Sequence, residues 1–315
     1  MSSIIHASPL QGFTDFRFRN AIQQFVGGVD HFYAPYIRLN GSKPIKKSQR
    51  ADLLPENNVG YTVVPQVLTA DAVEFLHIID FVKELGYSTL NWNLGCPYPM
   101  VTKRGMGAGL LSYPEKIEAI LTQVFAQSEI KLSVKLRSGY ADENEVFSVL
   151  QVLEQFPVTE IALHPRMGKQ LYKGTANVDV FEACLGHTSH KLIYNGDITT
   201  VSDWRLLQSR FPDVDEWMIG RGIIMNPFLP QMIKTNSEQL PDLWRQTFSK
   251  FHDTLLRAYA EQLSGHAHLI MKMYQFWQYF IHLFPEHSRL LKKIKKSKST
   301  DDYMAVVRRI ITEPD

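Results

Sequence analysis

The sequence predicts a (β/α)8 barrel followed by a small all-helical domain, and three observations carry that prediction. Eight short β-like runs alternate with longer amphipathic stretches over about 220 residues, the number and span of a barrel of parallel strands with crossover helices. Six of the eight runs end at polar or charged residues, as strands do when their C-terminal ends converge on one mouth. After Pro227 the alternation stops and only helical patterning follows. A doubly wound sheet is the alternative. Its first turn carries a glycine fingerprint, which Ser8-Pro9-Leu10-Gln11-Gly12 lacks.

Strands are predicted at residues 4–7, 31–34, 61–66, 89–93, 132–135, 160–164, 191–194 and 216–219, short apolar or alternating runs bounded by turn residues. Apolar residues every three to four positions predict crossover helices at 70–85, 114–126, 143–156 and 201–211. Residues 40–59, with Lys43, Lys46, Lys47 and Arg50, read as a long polar connection near the barrel mouth, a kind that often carries function. Helices follow at 242–262, 266–283 and 301–311. The chain therefore divides into a barrel over 1–235 and a helical domain over 236–315. The aromatic run 274–280 falls at helical spacing, which assigns it to bundle core rather than to base stacking.

A 44% apolar fraction supports a substantial core, and a net charge of +2 gives no global basic field. The charge is unevenly placed. Residues 241–315 hold twelve Lys/Arg against eight Asp/Glu, whereas the preceding part holds 22 against 24. The densest basic run, Lys292-Lys293-Ile294-Lys295-Lys296-Ser297-Lys298, is a candidate for phosphate contacts. Two distant cysteines make neither a disulfide framework nor a metal site, and fit a reducing compartment. No signal-like N-terminus and no run of about 18 apolar residues occurs, so a soluble cytoplasmic protein without a membrane span is expected.

The polar residues at strand ends are the candidates for chemistry: Gln66, Asn93 with Cys96, Lys135 with Arg137, His164 with Arg166, Asn195 with Asp197, and Arg221. Cys184 lies in a helix-like apolar pattern and reads as a small buried hydrophobe. Cys96 differs, because Gly95 and Pro97 hold it in a turn. A lone thiol serves either as a nucleophile with a depressed pKa or as a general acid that stays protonated, and the sequence leaves both open. Lys135 suits a Schiff base or, with Arg137 beside it, the stabilisation of an anion. The turns Asn195-Gly196-Asp197 and Gly220-Arg221-Gly222 follow the last two strands, where barrels bind phosphate.

Together these residues resemble a known family. Ser8-Pro9-Leu10-Gln11-Gly12-Phe13-Thr14-Asp15 with Phe18-Arg19, then Asn93-Leu94-Gly95-Cys96-Pro97 followed by Gly107-Ala108 and Leu110-Leu111, look like the tRNA-dihydrouridine synthases. So do Ser133-Val134-Lys135-Leu136-Arg137-Ser138-Gly139, His164-Pro165-Arg166 with Gln170 and Tyr172, Asn195-Gly196-Asp197-Ile198 and Met218-Ile219-Gly220-Arg221-Gly222. The resemblance covers roughly residues 8–228 in family order. It implies an FMN-dependent barrel with a C-terminal tRNA-binding domain, in which NADPH reduces the flavin. A hydride then passes from flavin N5 to C6 of a D-loop uridine, and the catalytic cysteine, Cys96 here, protonates C5.

The resemblance further implies that Gln66, Lys135, His164, Asn195, Gly196, Asp197, Gly220 and Arg221 hold the flavin, with the backbone of Pro9 and Leu10 against its ring. Asn93 and Arg166, with Arg137, fall near the target uridine. Lys292, Lys293, Lys295 and Lys296, with Arg308 and Arg309, are expected on the tRNA backbone, although no family motif names them. The chain departs from the usual pattern at Ser8 (usually alanine), Leu10 (methionine), Asn91 (aspartate) and Pro165 (glycine), the last removing a backbone donor. Three other readings compete. Reduction of a small pyrimidine keeps the flavin barrel but leaves the basic tail without a purpose. Another flavin-dependent modification of uridine in RNA, such as methylation, gives the cysteine a different role. An RNA-binding protein without turnover does not need Cys96, Lys135 and His164 together. No metal and no obligate protein partner is expected.

Overall fold

The computed structural model describes residues 3–39, 41 and 44–313. Met1 and Ser2 of the N-terminus, and Asn40 and Lys43 of the long polar connection, lie outside the described residues. Nine parallel strands form one sheet: β1 (Ile4–Ala7), β2 (His31–Tyr33), β3 (Thr62–Val64), β4 (Gln66–Val67), β5 (Thr89–Leu94), β6 (Lys131–Gly139), β7 (Ile161–Met167), β8 (Leu192–Tyr194) and β9 (Glu216–Ile219). Their order is β3-β2-β1-β9-β8-β7-β6-β5-β4. The two edges, β3 and β4, are halves of one predicted strand split at Pro65, so the sheet closes on itself as an eight-fold barrel. Proline has no N–H for the ladder. Its carbonyl still accepts from Asn91 N at 2.9 Å, and Ile37 bridges the seam, donating to Gln66 O and accepting from Leu68 N.

The first and last strands fall where the sequence predicts them. β6 and β7 run beyond their predicted ends and carry Arg137 and Arg166 inside the ladder. Their register shifts between Arg137 and Gly139, so Pro165 and Arg166 together face Ser138. A bulge is where a strand tolerates proline, and this absorbs the donor that Pro165 lacks. Below the mouth, Tyr33, Val64, Ala162, Ile193 and Met218 form an apolar layer. The opposite end is closed by polar contacts: Glu216 lies 2.7 Å from His6 and forms an ion pair with Lys191, while the Tyr33 hydroxyl donates to Glu160.

The crossover helices Ala72–Glu84, Pro114–Gln127, Glu145–Leu153 and Val201–Arg210 match their predicted positions to within a few residues. The sequence patterns did not single out Phe16–Phe25, Lys47–Leu53 or Leu229–Lys234 as helices. The long polar connection thus contains a helix of its own. Cys184 is fully buried on the helix Val178–Leu185.

The C-terminal region is helical at Trp244–Ala260, His266–Phe280, Leu291–Lys296 and Thr300–Thr312. It packs on the helix Phe16–Phe25, where Phe18 stacks on Phe276 at 5.7 Å and meets Phe251 edge-on at 5.9 Å. Tyr259 donates to Asp15 at 2.8 Å and Arg17 to Ala258 O at 3.1 Å. In the aromatic run, Phe276, Trp277 and Phe280 are core, whereas Tyr279 reaches the barrel mouth. Among the described residues no helix is long and apolar enough to cross a membrane.

Candidate active site

The C-terminal strand ends surround a cavity of about 330 Å³, a size typical of small-ligand sites. An amide network supports it. Gln66, fully buried, donates to Asn91 Oδ1 at 2.7 Å and accepts from Asn93 Nδ2 at 2.8 Å. Asn91 in turn donates to Ser133 Oγ at 2.8 Å. An aspartate at 91 would accept only, whereas the asparagine found here donates and accepts at once. The Asn93 Oδ1 accepts from the N–H groups of Gly95 (3.0 Å) and Cys96 (2.9 Å), shaping the turn that presents the cysteine.

The turn is clamped from behind. Cys96 O accepts from Ala108 N at 3.0 Å. Gly107 has φ +56°, and a Cβ there would lie 2.6 Å from Cys96 O. The Cys96 side chain packs with Leu68, Val101, Met106 and Tyr36. Burial pushes the thiol pKa up, outweighing the nearby polar groups of the Tyr98 backbone and the Tyr36 side chain and the charges of Arg137 and Arg38. At neutral pH the group is therefore a thiol, the state a general acid requires.

Lys135 projects from β6 and donates to Asn195 Oδ1 at 2.7 Å, while Asn195 Nδ2 donates to Met218 O at 2.7 Å. Burial, then the neighbouring Arg137, lowers the ammonium to about 7, against the pull of Cys96. Arg137 is spent on carbonyls: Gly95 O at 3.0 Å, Met167 O at 2.9 Å and Leu171 O at 2.7 Å. It ties the cysteine turn to the loop after β7. His164 is held neutral by burial and by the charges of Lys135, Arg137, Arg166 and Arg221. Its Nε2 lies 3.1 Å from Arg166 Nη1, which only donates, so the ring proton sits on Nδ1.

Asp197 organises the last two turns. It accepts a bidentate pair from Arg166 (2.8 and 2.6 Å), Ala176 N at 2.9 Å and Arg221 at 3.1 Å. Burial raises its carboxyl pKa, but the bonds and charges of Arg166, Ala176 and Arg221 win and lower it. The turn at 195–199 abuts the turn at 220–222 so closely that a Cβ on Gly222 would lie 2.2 Å from Ile198 O.

Twelve of the sequence-predicted site residues line this one cavity: Pro9, Leu10, Asn93, Cys96, Lys135, Arg137, His164, Asn195, Gly196, Asp197, Gly220 and Arg221. Gln66 and Arg166 stand behind the wall and touch it through Asn93, His164 and Asp197. Lys292, Lys293, Lys295 and Lys296 are elsewhere, exposed on the helix Leu291–Lys296, which buried Ile294 anchors. The sequence patterns missed a rim of tyrosines: Tyr36, Tyr98 and, from the C-terminal helices, Tyr279. Tyr36 and Tyr98 sit just past strand ends, a signal that was available. Tyr279 belongs to the aromatic run whose helical spacing assigns it to bundle core, and the structure places it at the mouth instead. Tyr172 completes the rim between the guanidinium groups of Arg137 and Arg221, at 5.2 and 4.9 Å from its ring centre.

With this geometry in place, likeness to known proteins is informative. The family model "Dihydrouridine synthase (Dus)" matches residues 5–310. The chain belongs to the dihydrouridine synthase family. It is 24% identical over 320 residues to a tRNA-dihydrouridine(16) synthase of Ralstonia nicotianae, covering 99% of this chain and 97% of that one. A tRNA-dihydrouridine(16) synthase of Cupriavidus necator is 26% identical over 95% of this chain and 94% of its own. For a tRNA-dihydrouridine synthase B of Vibrio cholerae the figures are 28%, 79% and 76%. Among solved structures, a morphinone reductase mutant in complex with tetrahydroNAD superposes with TM-score 0.50 at 12% identity, over 79% of this chain and 90% of that one. Histamine dehydrogenase from Rhizobium sp. 4-9 does so with TM-score 0.55 at 10% identity, over 74% and 45%. These two likenesses speak to the barrel fold alone.

Proposed function

We propose that this dihydrouridine synthase reduces a uridine of tRNA with FMN as cofactor and NADPH as electron donor. The observation that carries the reading is the protonated Cys96 thiol facing the same cavity as the desolvated ammonium of Lys135. The cavity fits the cofactor. Lys135 has only the neutral Asn195 amide as a hydrogen-bond partner among the described residues, so it favours an electron-rich ring edge beside it. The glycine turns at 196 and 220–222, with Arg221, suit a phosphate. When bound, the flavin supplies the hydride for uracil C6. Pro9 and Leu10 bound the ring, and His164 offers it a neutral Nδ1–H donor.

Asn93 and Arg137 line the substrate side and Cys96 gives its proton to C5. Gln66 and Arg166 act through Asn93 and His164. Residues 236–315 form the domain that grips the tRNA body while the uridine leaves its stack. The exposed lysines at 292, 293, 295 and 296 meet phosphates there. The relatives that match nearly the whole chain are named for position 16, which we take as the target.

The test is position-resolved dihydrouridine mapping on an unmodified tRNA transcript incubated with the protein, FMN and NADPH. Dihydrouridine at position 16, abolished by Cys96→Ala, is expected. Flavin oxidation without any reduced uridine would remove tRNA as the substrate while leaving the barrel and cofactor.

A further inference from the structure

We propose that Lys272, which does not itself line the cavity, is a positioning residue for the cofactor: from the C-terminal helices it fixes the turn after β1 that bounds the flavin ring. The inference rests on reading the cavity as the flavin site. The turn runs over residues 8–14, and its Pro9, Leu10, Gln11 and Phe13 line the cavity. It is partly held from within. Leu10 O accepts from Phe13 N at 3.0 Å and Thr14 N at 3.1 Å, and Leu10 N donates to Thr14 Oγ1 at 2.8 Å. The Gly12 carbonyl takes no part in this. Among the described residues its one hydrogen-bond partner is Lys272 Nζ, which reaches it from the helix His266–Phe280. The same helix holds the turn's aromatic ring, since Phe13 meets Phe276 and Tyr279 edge-on at 5.3 Å each.

The surroundings of Lys272 show a charge kept in place at a cost. The side chain is half-buried and has no ion-pair partner among the described residues. Three rings face its ammonium instead: Tyr259 at 4.5 Å, Phe276 at 5.1 Å and Phe13 at 5.9 Å from their centres. They offset part of the desolvation. Burial still lowers its pKa, against the pull of Asp15. A methionine of similar length would fill this cage without that cost, but only a donor can hold a carbonyl. The helical domain thus sets one wall of the cofactor site through a directed bond to the turn's backbone.

Lys272→Met and Tyr259→Phe, each loaded with FMN, separate positioning from general support. Tyr259→Phe removes the bond to Asp15, one residue past the turn, and keeps the ring that faces Lys272. In Lys272→Met the FMN dissociation constant, read from the flavin fluorescence released on dilution, should rise about tenfold. In Tyr259→Phe it should stay as it is. At saturating FMN, Lys272→Met should lower kcat with KM for tRNA unchanged. Lys272→Gln, which shortens the side chain and removes its charge, should behave alike and keeps the test decisive if the Met variant folds poorly. Unchanged FMN binding in both Lys272 variants overturns the proposal. So does equal weakening in Tyr259→Phe, which would make Lys272 ordinary packing, or a raised KM for tRNA with unchanged FMN binding, which would make it an RNA contact. If the unaltered protein binds no FMN, the reading of the cavity fails and this proposal with it. If it binds FMN and the Lys272 variants bind as tightly, only this proposal fails.

Discussion

Gly107 shows how much of the site depends on a missing side chain. Its φ of +56° disfavours any Cβ, and the nearest atom to such a Cβ is the Cys96 carbonyl at 2.6 Å. Gly107→Ala must therefore shift the cysteine turn or the Gly107–Leu110 segment beneath it. We expect a loss of about 1–3 kcal/mol in urea unfolding, and about a hundredfold in turnover if the sulfur moves by as much as about 1 Å. Full turnover in Gly107→Ala would show that the clamp is dispensable. The motif around Cys96 was legible because a cysteine between glycine and proline, past a strand, has no packing reason to be there. Depth was not legible. Gln66 and Arg166 read like their neighbours at the mouth, yet each is a layer behind it, because a sequence gives a strand end but not which side chains line the opening.

At the scale of elements, strands ending in polar residues were readable and several helices were not, for a definite reason. Phe16–Phe25 buries Arg19 completely, and a buried charge breaks the apolar periodicity that marks a helix. The terminal nitrogens of Arg19 donate to the nearby Thr14 O and to Asp52 and Asn58, 33 and 39 residues away, two partners that no local window sees. The same holds for the far end of the barrel, where Glu216 meets His6 and Lys191. Burial alone would raise the Glu216 pKa, but these partners lower it to about 2 from 4.5. A depressed carboxyl contributes stability that is fully present above the unfolded value, near 4.5, and is lost as pH falls toward 2. The difference corresponds to about 3 kcal/mol. Glu216→Gln should be less stable at neutral pH and should lack this acid-dependent loss, measured as unfolding free energy by urea titration between about pH 2 and pH 7. An identical pH dependence in both proteins would refute the role of the pair.

The whole molecule is more tightly joined than its two patterns suggest. One apolar core runs from the barrel into the C-terminal helices. Lys272 reaches from those helices to Gly12 O, just past the Pro9 and Leu10 that line the cavity, and lies 4.5 Å from the Tyr259 ring centre and 5.1 Å from that of Phe276. Tyr279 brings the same helix to the mouth, edge-on to Phe13 at 5.3 Å. The tail is thus both a wall of the site and the carrier of the exposed lysines, and the two roles separate by charge. Replacing Lys292, Lys293, Lys295 and Lys296 by alanine leaves the cavity wall intact, since none lines it. If they neutralise tRNA phosphates, removing each ammonium should cut the slope of log affinity against log salt by about 0.7–0.9. We therefore expect the quadruple variant to bind tRNA more weakly, with a slope shallower by about 3, while NADPH oxidation by the flavin-loaded protein without tRNA stays at its original rate. Weaker binding with an unchanged salt slope would place the tRNA on a different face of the helical domain.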